Sequence, residues 1–328
     1  MRNLEGIKKI TIPFDIPGGP GPINVYLFCG SPLSLIDTGI KGREAFQCLE
    51  RGVEDVGYRL SDIERIYITH GHIDHFGLAK KLAEISGARI FVHPDDQYKV
   101  ETEFKHQFDK EFSLIETYFR ESGVPDIYWT GFVYAVKEMF VKLADAVETG
   151  VEKISDGDIV HCGERRLRVI HLPGHTSGSV CFYDKESKLL FAGDHLLSEI
   201  TPNPLLELST KANNNYQSLN SYLNSLRVAR QLDVQLVLPG HGSNIDDHRS
   251  LIDGFLKHHE ERKDRIIDIV SDTERTKWEI SQSLFGELQT KEIFLGLSEV
   301  EGHIEILESE GRIVKRKKGE HLYYCASF

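Results

Sequence analysis

Tyr67-Ile68-Thr69-His70-Gly71-His72-Ile73-Asp74-His75-Phe76-Gly77 is the stretch on which the reading of this chain turns. An apolar run ends at Thr69, and four side chains able to ligate a metal follow within six residues. Side chains of an extended segment alternate in direction, so His70 and His72, two apart, point the same way. Asp74 and His75 open the next helix and are placed to serve a neighbouring ion. Imidazole and carboxylate suit zinc, iron or manganese. A chance cluster of surface polar groups is the plainer reading, and this spacing disfavours it.

Three later segments repeat the design of a polar ligand beside glycine after an apolar run. They are Pro173-Gly174-His175-Thr176, Ala192-Gly193-Asp194-His195 and Pro239-Gly240-His241-Gly242, following Leu167–Leu172, Leu189–Ala192 and Leu236–Leu238. Ligands at strand ends fit a site on the edge of a sheet, with glycine allowing close backbone approach. Any one of these alone reads as an ordinary turn residue. The four together read as a site for two metal ions.

The surrounding pattern alternates short strands with amphipathic helices. Strands are expected at Lys8–Pro13, Ile23–Cys29, Ser34–Asp37, Glu64–Thr69 and Arg89–His93, with helices through Glu44–Val56 and Leu78–Ile85. From about 95 to 149 a helical insertion is expected. Phe104, Phe108, Ile115 and Phe119 share one helical face, and Phe132, Val136, Phe140, Leu143 and Val147 share another. Tyr128 and Trp129, in the turn between them, are candidates for substrate contact. Strands resume at Arg166–His171, Ser179–Tyr183, Lys188–Ala192 and Gln235–Leu238, with helices near Tyr216–Gln231 and Asp246–Val270. Helices at Thr276–Leu284, near Lys291 and at Glu299–Glu310, then strands Arg312–Lys317 and His321–Cys325, follow the plan of a winged helix. The expected division is a catalytic domain over 1–260 and a winged-helix-like domain over 261–328.

Composition narrows the classes. The 328 residues, 40% of them hydrophobic, suffice for a sizeable core. No apolar run reaches the roughly 18 residues of a membrane span, and the first residues lack a secretory pattern. The five cysteines, Cys29, Cys48, Cys162, Cys181 and Cys325, form no CxxC pair and fit free thiols of a cytoplasmic protein. A formal net charge of −12 works against non-specific nucleic-acid binding.

The ligand set resembles the metallo-β-lactamase superfamily, whose signature is HxHxDH followed by a later His, an Asp and a final His. The resemblance covers roughly residues 1–260. It implies an α/β fold, a four-layer αββα sandwich with the metals at one edge of its two sheets. Carried over position by position, it implies that His70, His72 and His175 hold one metal. Asp74, His75 and His241 would hold the second, and Asp194 would bridge them. The Asp37-Thr38-Gly39 turn matches a further motif in which the aspartate supports the site from behind. Gly193-Asp194-His195-Leu196-Leu197, Glu199-Ile200-Thr201-Pro202-Asn203-Pro204 and the C-terminal pattern resemble the lactamase-β-like, glyoxalase II-like branch, which includes hydrolases of thioesters and of RNA. The insertion departs from that branch's shorter members.

The function so implied is a dinuclear hydrolase in which two divalent ions, zinc in first place with manganese or iron as alternatives, share a hydroxide. That hydroxide attacks a small acyl substrate, a thioester or lactone, with Asp74 orienting the nucleophile or carrying its proton. No GxSxG motif supplies a protein nucleophile. The alternatives are an endoribonuclease of the same fold and a non-catalytic DNA-binding regulator that senses a metal or ligand. A di-iron redox role is disfavoured, since it would bring a flavin domain and a carboxylate in place of His72. Arg312, Lys315, Arg316, Lys317 and Lys318 form a basic wing, but Glu299, Glu301, Glu305, Glu308 and Glu310 line the helix before it. Nucleic-acid binding is therefore ranked below dimerisation or a pocket-forming role for this region. Four weaker histidine readings remain. His195 is open between substrate contact and structure, while His93, His171 and the His258-His259 pair are read as structural.

Overall fold

The computed structural model describes residues 4–14, 19–102, 104–129, 141–148, 150–208, 210, 215–289 and 292–327. Six short runs rich in Ile, Val and Leu become β1 (Ile7–Ile12), β2 (Ile23–Phe28), β3 (Ser34–Ile36), β4 (Arg65–Tyr67), β5 (Arg89–Val92) and β6 (Val151–Lys153), side by side in that order. β1, β2 and β3 pair antiparallel, whereas β3 to β6 pair parallel. Parallel neighbours need a crossover. α1 (Arg43–Glu54) and α3 (Ala79–Ser86) supply two of them, and the four-residue α2 (Ile73–Phe76) carries part of the histidine motif. Ala45, Leu49 and Val53 recur at helical spacing on α1 and are buried against Ile10, Ile12, Val25 and Leu27.

The second sheet has the order β11-β10-β9-β8-β7, from β7 (Ile159–Cys162), β8 (Arg165–His171), β9 (Val180–Asp184), β10 (Leu189–Gly193) and β11 (Leu236–Pro239). Its outer face is covered by α6 (Ser218–Arg230) and α7 (His248–Ile269), through Leu219, Leu223, Leu226, Ile252 and Phe255. The inner faces of the two sheets meet through Tyr26, Phe28, Ile36 and Tyr67 on one side and Phe182, Phe191, Leu236 and Leu238 on the other. Phe191 is wedged between Tyr26 and Phe28, with ring centroids 5.2 and 5.0 Å away. Full burial of such a side chain stabilises the fold by roughly 1.5–3 kcal/mol. The layers are helix, sheet, sheet, helix, and every residue of β2, β9, β10 and β11 is buried because both faces are covered.

Two expectations are corrected here. β6 and β7 lie where no strand was expected; they are the outermost strands of their sheets, and exposed Ile159 and His161 dilute the apolar signal. The insertion begins with α4 (Pro94–Glu101) and α5 (Phe104–Glu121), but Leu143 and Val147 lie in turns and irregular chain. Phe132, Val136 and Phe140, the rest of the expected second face, lie outside the described residues. The helix expected at Asp246–Val270 is α7, and the expected boundary at residue 260 lies within it.

Beyond α7 come β12 (Arg275–Thr276), α8 (Lys277–Phe285), α9 (Ile293–Ser309), β13 (Ile313–Lys318) and β14 (His321–Ala326), with a three-stranded sheet ordered β12-β14-β13. Thr276 and Glu279 cap α8 reciprocally. Lys291, the centre of an expected middle helix, lies outside the described residues, and α9 starts at Ile293, six residues before the expected Glu299.

A buried histidine pair joins α7 to α9. His303 Nδ1–H donates to the Glu299 carbonyl at 2.6 Å, so its Nε2 accepts from His259 Nδ1–H at 3.1 Å. Burial pushes both rings from the ordinary 6.5 down to about 3. Between those values the unfolded chain binds protons that the folded one refuses, so stability falls as pH falls through this window. From about pH 7.5 to about pH 5 the loss should be about 2 kcal/mol per ring. Urea unfolding across that range checks it, because a variant with both histidines replaced by leucine should show a shallower acid slope. An equally steep slope would remove the pair as its source.

Candidate metal centre

All seven expected ligands meet at one end of the two sheets. His70 and His72 lie in the loop after β4, Asp74 and His75 on α2, His175 after β8, Asp194 after β10 and His241 after β11. All but His72 are buried. Gly240 permits this crowding, since a Cβ there would stand 2.5 Å from Asp194 Oδ1 and 2.8 Å from His75 Cε1.

His70 Nε2 and His175 Nε2 each lie 3.0 Å from His72 Nδ1. Three nitrogens cannot all hydrogen-bond to one another, and a tetrahedral set about 2.0–2.1 Å from a zinc ion has edges near 3.3 Å. The second group is acidic. His241 Nε2 lies 3.4 Å from Asp74 Oδ2, and His75 Nε2 lies 3.9 Å from the same oxygen. Asp194 stands between the groups, with Oδ2 3.6 Å from both His175 Nε2 and His241 Nε2 and Oδ1 3.4 Å from His75 Nε2. His75 Nε2, His241 Nε2 and Asp194 Oδ1 are buried without a hydrogen-bond partner. Orphaned buried groups are costly, and a divalent cation would satisfy all of them at once. The donor set fits such ions.

The outer ring nitrogens show which way each imidazole faces. His175 Nδ1–H donates to the Asn203 carbonyl at 3.1 Å, and His241 Nδ1–H to the carbonyls of Gly21 and Pro22 at 3.0 and 3.1 Å. His75 Nδ1–H donates to Asp37 Oδ2 at 2.8 Å. The Thr69 hydroxyl donates to that same oxygen at 2.8 Å and lies 3.1 Å from His70 Nδ1. One buried carboxylate thus orients a histidine in each group, as the family motif implied. It does so from a backbone φ of 61°, a conformation few residues other than glycine adopt. The second strand closes the far side: Asn24 Nδ2 donates to the carbonyls of Pro239 and Gly242, and Tyr26 OH to that of Pro239.

Electrostatics separate the two groups. Burial, reinforced by neighbouring rings, holds His70 well below its ordinary value and His72 down to about 3. Burial also lowers His175. His75 is driven down by burial, but Asp194, Asp37 and Asp74 outweigh it and hold it well above 6.5. Asp194 would rise on burial, but His241 and His75 pull it well below the usual carboxylate range. One group is therefore three neutral imidazoles with free lone pairs, and the other an acid–histidine cluster.

His195 packs on Tyr222 with ring centroids 5.3 Å apart, and neither ring nitrogen has a hydrogen-bond partner. His93 and His171 stack on each other at 3.9 Å. Trp129 is buried with Phe119, Leu206 and Leu297, so its burial is core packing, and Tyr128 lies against Trp278. Asp96, Lys99 and Glu207, which sequence reasoning missed, sit against the ligand loops. No helix among the described residues is long and apolar enough to cross a membrane.

Residues 18–241 match the family model described as the metallo-beta-lactamase superfamily. The chain is 29% identical to the probable metallo-hydrolase YqjP of Bacillus subtilis over 98% of both chains. A metallo-beta-lactamase family protein from Thermus thermophilus superposes with a TM-score of 0.83 at 26% identity, covering 98% of this chain and 99% of that one. A 41-residue stretch is 51% identical to the human acyl-coenzyme A thioesterase MBLAC2, covering 12% of this chain and 15% of that protein.

Proposed function

The chain belongs to the metallo-beta-lactamase superfamily, and from that premise we propose that it is a dinuclear hydrolase of a small acyl substrate, a thioester or lactone. It is a metallo-hydrolase of that superfamily. The observation that carries the finer reading is the convergence of seven donor side chains around buried, unpartnered His75 Nε2, His241 Nε2 and Asp194 Oδ1. His70, His72 and His175 would hold one ion, Asp74, His75 and His241 the other, with Asp194 shared. Two divalent cations, zinc in first place, would supply an activated water and polarise the substrate's carbonyl.

The residues do the rest. Asp37 keeps Nε2 of His75 turned inward by accepting a hydrogen bond from its Nδ1–H, and backbone carbonyls do the same for His175 and His241. Asp74, the least buried carboxylate of the centre, is placed to hold the attacking water and receive its proton. Asp194 keeps the two groups in register.

Acyl substrates are preferred to RNA because the basic wing is largely neutralised within the chain. Arg312 pairs with Asp264 and Glu310, Lys315 with Glu308, Lys317 with Glu121 and Lys318 with Glu274. The short likeness to a thioesterase points the same way. The five cysteines are all unpaired, in keeping with a cytoplasmic setting.

Metal analysis of the purified protein, with a hydrolysis panel of acyl thioesters, lactones and single-stranded RNA, tests the proposal. About two metals per chain with thioester or lactone cleavage is the expected result. RNA cleavage instead would transfer the function to an endoribonuclease, and neither metal nor turnover would leave a sensing role.

A further inference from the structure

Asp96, on α4, is fully buried, and its two oxygens accept four hydrogen bonds. Oδ2 accepts from Gly71 N at 2.7 Å and from Thr176 Oγ1 at 2.6 Å. Oδ1 accepts from Lys99 Nζ at 2.6 Å and from Gly178 N at 3.2 Å. Gly71 lies between His70 and His72, and Thr176 follows His175, so one carboxylate grips both loops that carry the three-imidazole group. Lys99 also pairs with Glu207, whose Oε1 accepts from Ser177 N at 3.1 Å. The loops are shaped to admit the helix. A Cβ on Gly71 would stand 2.8 Å from Lys99 Cβ, and one on Gly178 would stand 2.6 Å from Asp96 Cγ.

With Nδ1–H of His70 and His175 turned outward, both of their Nε2 lone pairs face His72 Nδ1 at 3.0 Å, and one proton there cannot satisfy both, so the rings alone do not hold the two loops together. The hydrogen bonds of a ring's outer nitrogen set its orientation but leave loop-to-loop spacing free. A carboxylate bonded to the backbone of both loops fixes that spacing. Burial would raise Asp96, but the Lys99 ammonium outweighs it and holds the carboxyl at about 2, so the grip stays charged.

We propose that Asp96 is a positioning residue: by tying the His70–His72 loop to the His175 loop it sets the spacing of these three ligands, and with it their affinity for a divalent ion. This rests on the metal-binding reading above.

The test places Asp96→Asn and Thr176→Val each in a His241→Ala background, where the other group has lost a ligand. Cobalt(II) uptake is followed by its visible absorption and by competition with a chelating dye. Circular dichroism and thermal unfolding of the metal-free protein report the fold. Asp96→Asn should weaken cobalt binding by about 10–100-fold and alter the absorption bands. Thr176→Val, which removes one donor with little change of shape, should weaken it less, by about fivefold. A folded Asp96→Asn protein with unchanged affinity and spectrum overturns the proposal and leaves Asp96 as a fastener of α4. If Asp96→Asn does not fold, Thr176→Val decides, and unchanged affinity there overturns it equally. No cobalt uptake by the parent protein would instead defeat the metal reading, and this inference with it.

Discussion

Asp194→Ala should lose at least about a thousandfold in kcat/KM on whichever acyl substrate the parent protein hydrolyses. Asp194 Oδ2 stands 3.6 Å from a histidine of each group, so its removal leaves no group common to both. It also leaves the acid cluster of His75 and His241 short of the carboxylate that most raises each of them. Stabilisation of transition-state charge by a correctly held ion amounts to several kcal/mol, and about 4 kcal/mol corresponds to three orders of magnitude in rate. The side chain projects from the end of β10 and belongs to none of the apolar cores, so circular dichroism should be unchanged. Activity within tenfold of the parent protein in a folded Asp194→Ala variant would refute the shared-ligand arrangement.

Stripping the metal should lower the melting temperature by roughly 10 °C. The metal-free centre gathers orphaned nitrogens, an orphaned carboxylate oxygen and two inward imidazole lone pairs that one proton cannot both satisfy, an unfavourable set when buried. An ion present at about a thousand times its dissociation constant contributes about 4 kcal/mol to the folded state, and each kcal/mol is worth roughly 2–4 °C in a domain of this size. Scanning fluorimetry with a chelator, then with zinc restored, measures it. Identical melting curves in both conditions would show that no ion is bound with useful affinity.

Four of the expected ligands, His70, His175, Asp194 and His241, were legible because each stands beside glycine just after an apolar run, a pattern that marks a strand end without knowledge of its neighbours, and His72, Asp74 and His75 were legible from their spacing behind His70. The supports were not. Asp96 follows Pro94 and Asp95 in what looks like an ordinary acidic first turn of a helix, and nothing local separates it from exposed Asp95. Its role comes from Gly71 and Gly178, which only the tertiary fold brings to it. Trp129 misled for the converse reason: an aromatic residue in a turn is open to solvent locally, and burial by α9 is a long-range event. β6 and β7 escaped notice because an outermost strand is only half covered and keeps polar residues.

The hold of Gly21 and Pro22 on His241 spans 220 residues of chain. A growing polypeptide emerges from the ribosome from its N-terminus, so the histidine motif at 70–75 is outside long before the last ligand exists. During that interval the early histidines can meet ions only as loose, weak chelators. The full set of donors is complete only after synthesis has passed His241 and β11 has reached β2. An ion taken up by the folded protein would then be selected by a finished cavity from whatever its surroundings offer, and expression in media of different metal content should yield chains that differ in cargo but not in shape.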